Sequence, residues 1–249
     1  MNTKKIIKLI AVLALFSLTL ATSAQTLVPP GVPSGHWNLA GSPYIVVDNI
    51  SVPSGQTLTI DPGVTVLIGS NLTITANRSL IQAVGTPSQR ITIGSLSSSY
   101  YFNAILVQNQ TGTNRFKYCD FANAQTAISM TVYGYNQVMP MEIMNCTFSN
   151  CVSQGIYGEA QGIEFWNGGY YYSDAILNPV IKNCVFDTTG NGCVMKIFGM
   201  RDCGQFCYTG YGYSNTKIIG NNFITLPEPR FSCKSAATPG VEAQFSLTT

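Results

Sequence analysis

The sequence predicts an all-β fold, most simply a right-handed parallel β-helix with Gly- and Tyr-rich insertions emerging on one side. Three observations predict it. Short apolar runs alternate with Pro and Gly turns; a six-residue motif occurs four times; and an insertion follows each of its first three copies. No window holds a sustained helical period.

The first observation covers Tyr44 to Ile93. Tyr44–Val47, Leu58–Ile60, Val64–Ile68, Leu72–Ile74, Leu80–Val84 and Ile91–Ile93 are each strand-sized. Pro53-Ser54-Gly55, Asp61-Pro62-Gly63 and Gly85-Thr86-Pro87 separate them. Proline presets φ and glycine admits positive φ, so the chain turns sharply at these places.

The second observation is the stronger one. Phe116 to Phe121, Ile143 to Phe148, Ile181 to Phe186 and Ile218 to Phe223 superpose as an apolar residue, then Cys119, Cys146, Cys184 or Asn221 three positions on, then Phe two further. Cys and Phe, two apart, point to the same side of a strand. Asn145, Asn183 and Gly220 stand just before that column, and these types tolerate the left-handed conformation of a corner. A second strand should follow a polar turn, over Ala127–Met130, Gly155–Tyr157 and Cys193–Phe198. One such unit cannot bury its own apolar face, so copies must stack. A β-sandwich also suits short strands with regular turns, but it leaves the recurring columns unexplained.

The insertions, Tyr133–Pro140, Glu159–Pro179 and Met200–Asn215, supply the third observation. They hold eight of the 13 tyrosines and Trp166. Stacking would bring them to one flank, where Trp166, Tyr170, Tyr171, Tyr172, Tyr208, Tyr211 and Tyr213 are the expected ligand-binding residues. An aromatic side chain offers a flat apolar face and a polar edge, which suits a sugar ring or a protein partner, although such rings can equally just pack the loops down.

Charged residues make up 10% of the chain against 45% hydrophobic, which excludes a nucleic-acid binder. Lys4, Lys5 and Lys8, the apolar run Leu9–Ala21 and the small residues to Ala24 form a secretory signal peptide, with cleavage expected after Ala24. The run is shorter than a membrane span needs, so no stable span should remain after cleavage. The mature chain then carries 10 basic and 11 acidic residues, and the expected domain order is 1–24 signal, 25–36 linker, 37–225 parallel β-helix and 226–249 tail or partial cap. All eight cysteines lie in the exported part, where an oxidising compartment lets them pair. Cys203 and Cys207 enclose a short loop and are the preferred disulfide; half of a zinc site is the alternative, but the single His36 is distant. No metal or other cofactor is expected.

The run Trp37, Pro43 to Val47 and Val52-Pro53-Ser54-Gly55-Gln56-Thr57-Leu58-Thr59-Ile60-Asp61-Pro62-Gly63-Val64 resembles the opening coils of secreted bacterial proteins with right-handed parallel β-helix repeats, of pectate-lyase-like fold. The resemblance extends more loosely to Phe223. It implies fold and export; family members include polysaccharide lyases, hydrolases and adhesins, and fold alone does not choose among them. The family's acidic catalytic motifs are missing from this chain. Glu164, Asp174 and Asp202 are the weak catalytic candidates, because glycan cleavage needs carboxylates converging on one groove. His36 has no Gly-x-Ser-x-Gly elbow to serve. The expected function is therefore non-catalytic binding of a polysaccharide or cell-surface component by a secreted or cell-surface protein. A lyase or hydrolase is the first alternative, and a structural or adhesive fragment of a larger protein the second.

Overall fold

A computed structural model describes residues 25–31, 35–109, 112–133, 137–161, 165–166, 170–171, 175–187, 193–200, 212–214, 216–224 and 231–235, with the backbone alone at 158–161, 165–166, 170–171, 193–200, 212–214, 224 and 231–235. The described chain is mainly strand, and the only helical element in it is the short 3-10 turn Leu39–Gly41. Among the described residues every pairing but one is parallel, within a 13-stranded and an 8-stranded sheet; Phe165–Trp166 and Tyr170–Tyr171 form the antiparallel exception.

The pairings resolve into three ladders that the chain visits in turn. The first runs from Thr26–Val28 through Tyr44–Val46, Thr65–Ile68 and Ile91–Ser95 to the opening residues of two long strands, Cys119–Tyr133 and Thr147–Gln161, and on to Val185–Asp187 and Asn222–Ile224. The second joins Ile50–Val52, Thr73–Asn77 and Phe102–Gln108 to the later halves of those long strands, then Cys193–Met200 and Phe231–Ser235. The third contains Gly35–Trp37, Thr57–Ile60, Leu80–Val84, Asn114–Lys117, Gln137–Met144 and Ala175–Lys182, ending on Gly212–Ser214 and Lys217–Ile219.

Alternation explains why these segments are strands. In Thr57–Ile60 and Thr65–Ile68 the threonines are half-buried while Leu58, Ile60, Val66 and Ile68 are buried, the period-2 pattern of a sheet with one dry face. One buried cluster draws on all three ladders, with Ile93 and Phe121 from the first, Ile74 and Val107 from the second, and Ile81 and Ile143 from the third. Gly63 takes φ +79 at the turn after Asp61-Pro62, as the sequence predicts. Gly85 is needed for a different reason: a Cβ there would lie 2.7 Å from the Tyr118 carbonyl oxygen.

The repeated motif falls in register. Phe116, Ile143, Ile181 and Ile218 are successive partners in the third ladder, and Phe121, Phe148, Phe186 and Phe223 in the first. Between the two ladders the chain turns at Tyr118, Asn145, Asn183 and Gly220, with φ of 52, 55, 53 and 59°. Their N–H groups donate along the column, Tyr118 to Met144 at 3.0 Å, Asn145 to Lys182 at 2.9 Å and Asn183 to Ile219 at 2.9 Å. The corner thus satisfies its own backbone. The phenylalanines stack face to face, with centroids 5.0, 4.8 and 5.2 Å apart and planes within 15°.

Several expectations need correcting. Thr26–Val28 and Gly35–Trp37 are already paired, so part of the expected linker 25–36 is strand. The polar turn expected after Phe121 and Phe148 is a bulge inside a continuous strand; the register shifts after Ala124, and Asn123 and Asn150 absorb it at φ 56 and 49°. Their side chains join, Asn150 Nδ2 donating to Asn123 Oδ1 at 2.7 Å. The first insertion is also shorter than read, because Gln137–Met144, Pro140 included, is third-ladder strand. The signal segment 1–24 and residues 236–249 lie outside the described residues.

Candidate functional site

The candidate site is the corner between the second and third ladders, where all three insertions leave and re-enter. Tyr133, Gln161 and Met200 end the strands before them and are paired in sequence, Tyr133 with Gln161 and Gln161 with Met200. Gln137, Ala175 and Gly212 begin the strands after them and are likewise paired, Gln137 with Ala175 and Ala175 with Gly212. Both roots of each insertion therefore stand above those of its predecessor, about 4.8 Å apart. In the earlier passages the same corner is closed tightly: Asn77 to Leu80 crosses it through Arg78 at φ 53°.

Of the residues expected to bind ligand, Trp166, Tyr170 and Tyr171 lie in the antiparallel pair of the middle insertion, Trp166 opposite Tyr170 and Phe165 opposite Tyr171. Tyr213 lies in the returning strand of the last insertion, paired with Ile176. Tyr172, Tyr208 and Tyr211 fall outside the described residues, as do Glu164, Asp174, Asp202, Cys203 and Cys207.

The cysteines correct one expectation outright. Cys119, Cys146, Cys151 and Cys184 are buried and free, not disulfide-bonded. Three of them occupy the motif column, and their thiols reach carbonyls one strand earlier: Cys119 to Ala83 at 3.4 Å, Cys146 to Phe116 at 3.3 Å and Cys184 to Ile143 at 3.5 Å. Here cysteine serves as a small apolar side chain with a weak donor. Burial pushes the Cys151 thiol up to about 12 and the Cys146 thiol well above its ordinary range; contact with Cys146, then burial, raises Cys184. A thiol raised in the folded state stabilises at pH values below its unfolded pKa, and that contribution fades as pH rises further. Stability should fall between about pH 8.5 and 12, where only the unfolded chain is a thiolate. Iodoacetamide at pH 8 should leave these four cysteines unmodified in the folded chain and alkylate them in urea; mass mapping that found them modified without denaturant would show an open core.

Two charged groupings escape sequence reading. Arg90 makes a forked contact with Asp120, Nε to both carboxylate oxygens at 2.9 Å and Nη2 to Oδ1 at 2.7 Å, and Nη2 also reaches the Asn145 carbonyl at 3.0 Å and Thr147 Oγ1 at 3.3 Å. It fastens two successive corners. Glu142 receives Lys117 at 2.6 Å and Arg115 at 3.2 Å, and the Lys117 hydrogen bond chiefly holds its carboxyl below the ordinary range. The only signal available in the sequence was a charge next to a motif column, Asp120 after Cys119 and Lys117 after Phe116. His36 does meet a carboxylate, Asp61 Oδ1 at 2.5 Å, but the pair is exposed and no nucleophile joins it among the described residues. Among the described residues no group of three or more His, Cys, Asp or Glu is placed to hold a metal ion, and no helix is long and apolar enough to cross a membrane.

A stretch of 69 residues, 28% of this chain, is 39% identical to Protein bark beetle of Drosophila melanogaster, of which it spans 2%. No protein-family model matches the chain. No solved structure matches it.

Proposed function

We propose that this chain is a secreted or cell-surface protein, folded as a right-handed parallel β-helix, that binds carbohydrate or another surface component through its aromatic insertions without catalysing a reaction. The single observation that carries the reading is the stacking of the insertion roots, Tyr133 with Gln161 and Met200, and Gln137 with Ala175 and Gly212. Segments rooted a strand spacing apart can pool their aromatic residues into one surface, whereas segments scattered over a fold cannot. The order in which the chain visits its ladders supports the helical winding, and the leader-like residues 1–24 support export.

The test is a glycan array probed with the mature chain from Gln25. Retention of at least one glycan is expected, and Trp166→Ala should weaken it by about 30-fold, the loss of a central aromatic anchor worth about 2 kcal/mol. Depolymerisation of a glycan that is lost on Glu164→Gln or Asp174→Asn would replace this reading with an enzyme. Absence of both binding and cleavage would leave the structural or adhesive reading in its place.

A further inference from the structure

The column cysteines form a file of thiols inside the corner between the third and first ladders. Cys119, Cys146 and Cys184 are buried on consecutive coils, and their side chains meet in sequence, Cys119 with Cys146 and Cys146 with Cys184. Carbonyl oxygens line the gaps. Cys146 Sγ lies 3.3 Å from the Phe116 oxygen, one coil back, and 3.3 Å from the Met144 oxygen of its own strand. The Met144 oxygen also accepts from the Tyr118 N–H at 3.0 Å, so both carbonyls face the space between the Cys119 and Cys146 coils. Arg90 spans that same gap: Nη2 reaches the Cys119 carbonyl at 3.4 Å and the Asn145 carbonyl at 3.0 Å, and its guanidinium lies within electrostatic reach of both thiols.

We propose that Cys119 and Cys146 hold a soft monovalent metal ion, copper(I), in line between their two sulfurs. A metal–thiolate bond is about 2.3 Å long in zinc sites. Two such bonds end to end therefore match the spacing of paired strands, about 4.8 Å. Among the described residues no point brings three His, Cys, Asp or Glu together, which leaves zinc short of its four ligands. Calcium needs six or more oxygens and finds two carbonyls here. A soft ion content with two thiolates is the one that fits. As it binds, both S–H bonds break, two metal–sulfur bonds form and two protons leave; copper stays in its +1 state, so no electron moves. The pair then carries one net negative charge, which faces Arg90, while Asp120 holds the guanidinium in place. Copper enters as the coils close, because the folded column is dry. Such a site is independent of whatever the insertions bind.

The experiment refolds the mature chain from urea without oxygen, with copper(I) supplied as its acetonitrile complex. Gel filtration against a copper(I) chelator strips loosely held metal, and the copper left per chain is counted. The native chain should keep one more ion than Cys119→Ser or Cys146→Ser, a difference that cancels whatever the other cysteines hold. Cys151→Ser and Cys184→Ser should keep that ion. Two protons should leave with its binding in weakly buffered solution, and loading should raise the urea midpoint of the native chain but not of Cys146→Ser. Arg90→Gln should weaken retention against the chelator about tenfold, and Arg90→Lys should recover most of it. Zinc(II) in place of copper(I) should give no difference between the native chain and Cys146→Ser. Cys119→Ala and Cys146→Ala repeat the test with apolar replacements, should serine disturb the buried column. Equal copper in the native chain and in Cys146 variants of unchanged circular dichroism would overturn the proposal. So would an equal loss on Cys151→Ser, or zinc retained in preference to copper.

Discussion

Phe148→Ala should destabilise the chain by about 3–5 kcal/mol, a large share of the total stability of an ordinary domain. Phe148 is fully buried between Phe121 and Phe186, with centroids 5.0 and 4.8 Å away and planes 4 and 7° from parallel. Truncation removes the apolar transfer term and both ring contacts at once, and the gap cannot close easily because the rings on either side are fixed by paired strands. Phe148→Leu keeps most of the buried area and should cost about 1–2 kcal/mol. Urea denaturation followed by circular dichroism decides: the midpoint should fall steeply for Ala and modestly for Leu at unchanged m-value. A loss below about 1 kcal/mol for Phe148→Ala would mean that the phenylalanine column does not form the core.

What made the column legible was the identity of its side chains. Cys and Phe are distinctive enough to be seen recurring at uneven distances, and the copies at 119, 146, 184 and 221 are 27, 38 and 37 residues apart. The same column continues backwards, however, and there it is silent. Ile91 is paired with Cys119, Ile93 with Phe121, and Val66 with Ile93. A buried position in a parallel ladder constrains size and apolarity but not residue type, so Val and Ile fill the slot without leaving a recognisable motif.

Strands were readable where β-branched residues alternate, as in Thr57–Ile60 and Thr73–Asn77, and missed where the cue was diluted. Phe102–Gln108 carries Asn103 and a register shift, and Thr26–Val28 is three residues long. The candidate site was legible as a position and not as a set of contacts. Composition showed that the insertions are Tyr-rich, and register showed that they share a corner; which rings meet a ligand depends on loop conformation, which no periodic pattern encodes. The column cysteines were open to pairing on the sequence alone, because burial and register, which decide otherwise, are not written in their spacing. Each thiol of the column instead lies at a carbonyl of the preceding strand, held there by the strand register and sealed from oxidant.

Asn221 makes the second large effect predictable, because it stands where the three preceding copies have cysteine. It is buried; its Oδ1 accepts from the Cys184 N–H at 2.8 Å, and its Nδ2 donates to the Ile181 carbonyl at 3.1 Å. The donor half of that pair copies what each thiol does to the strand before it, since Ile181 follows Ile143, Phe116 and Ala83 in the same file. The acceptor half puts an oxygen where the earlier copies have a sulfur. Asn221→Leu preserves volume but leaves the buried Cys184 N–H unsatisfied and removes the added bond to the Ile181 carbonyl, so a loss of about 2–4 kcal/mol is expected. Asn221→Cys restores the sequence motif and a weak donor while replacing the oxygen acceptor with a weaker sulfur, which places it between the native chain and the leucine variant. Amide exchange separates this account from simple packing: the Cys184 N–H should be protected in the native chain and exchange faster in both variants, and the Asn183 N–H, bonded to Ile219 at 2.9 Å, should change less. Equal stability of Asn221→Leu and the native chain would mean that asparagine stands at this position for a reason other than its two hydrogen bonds.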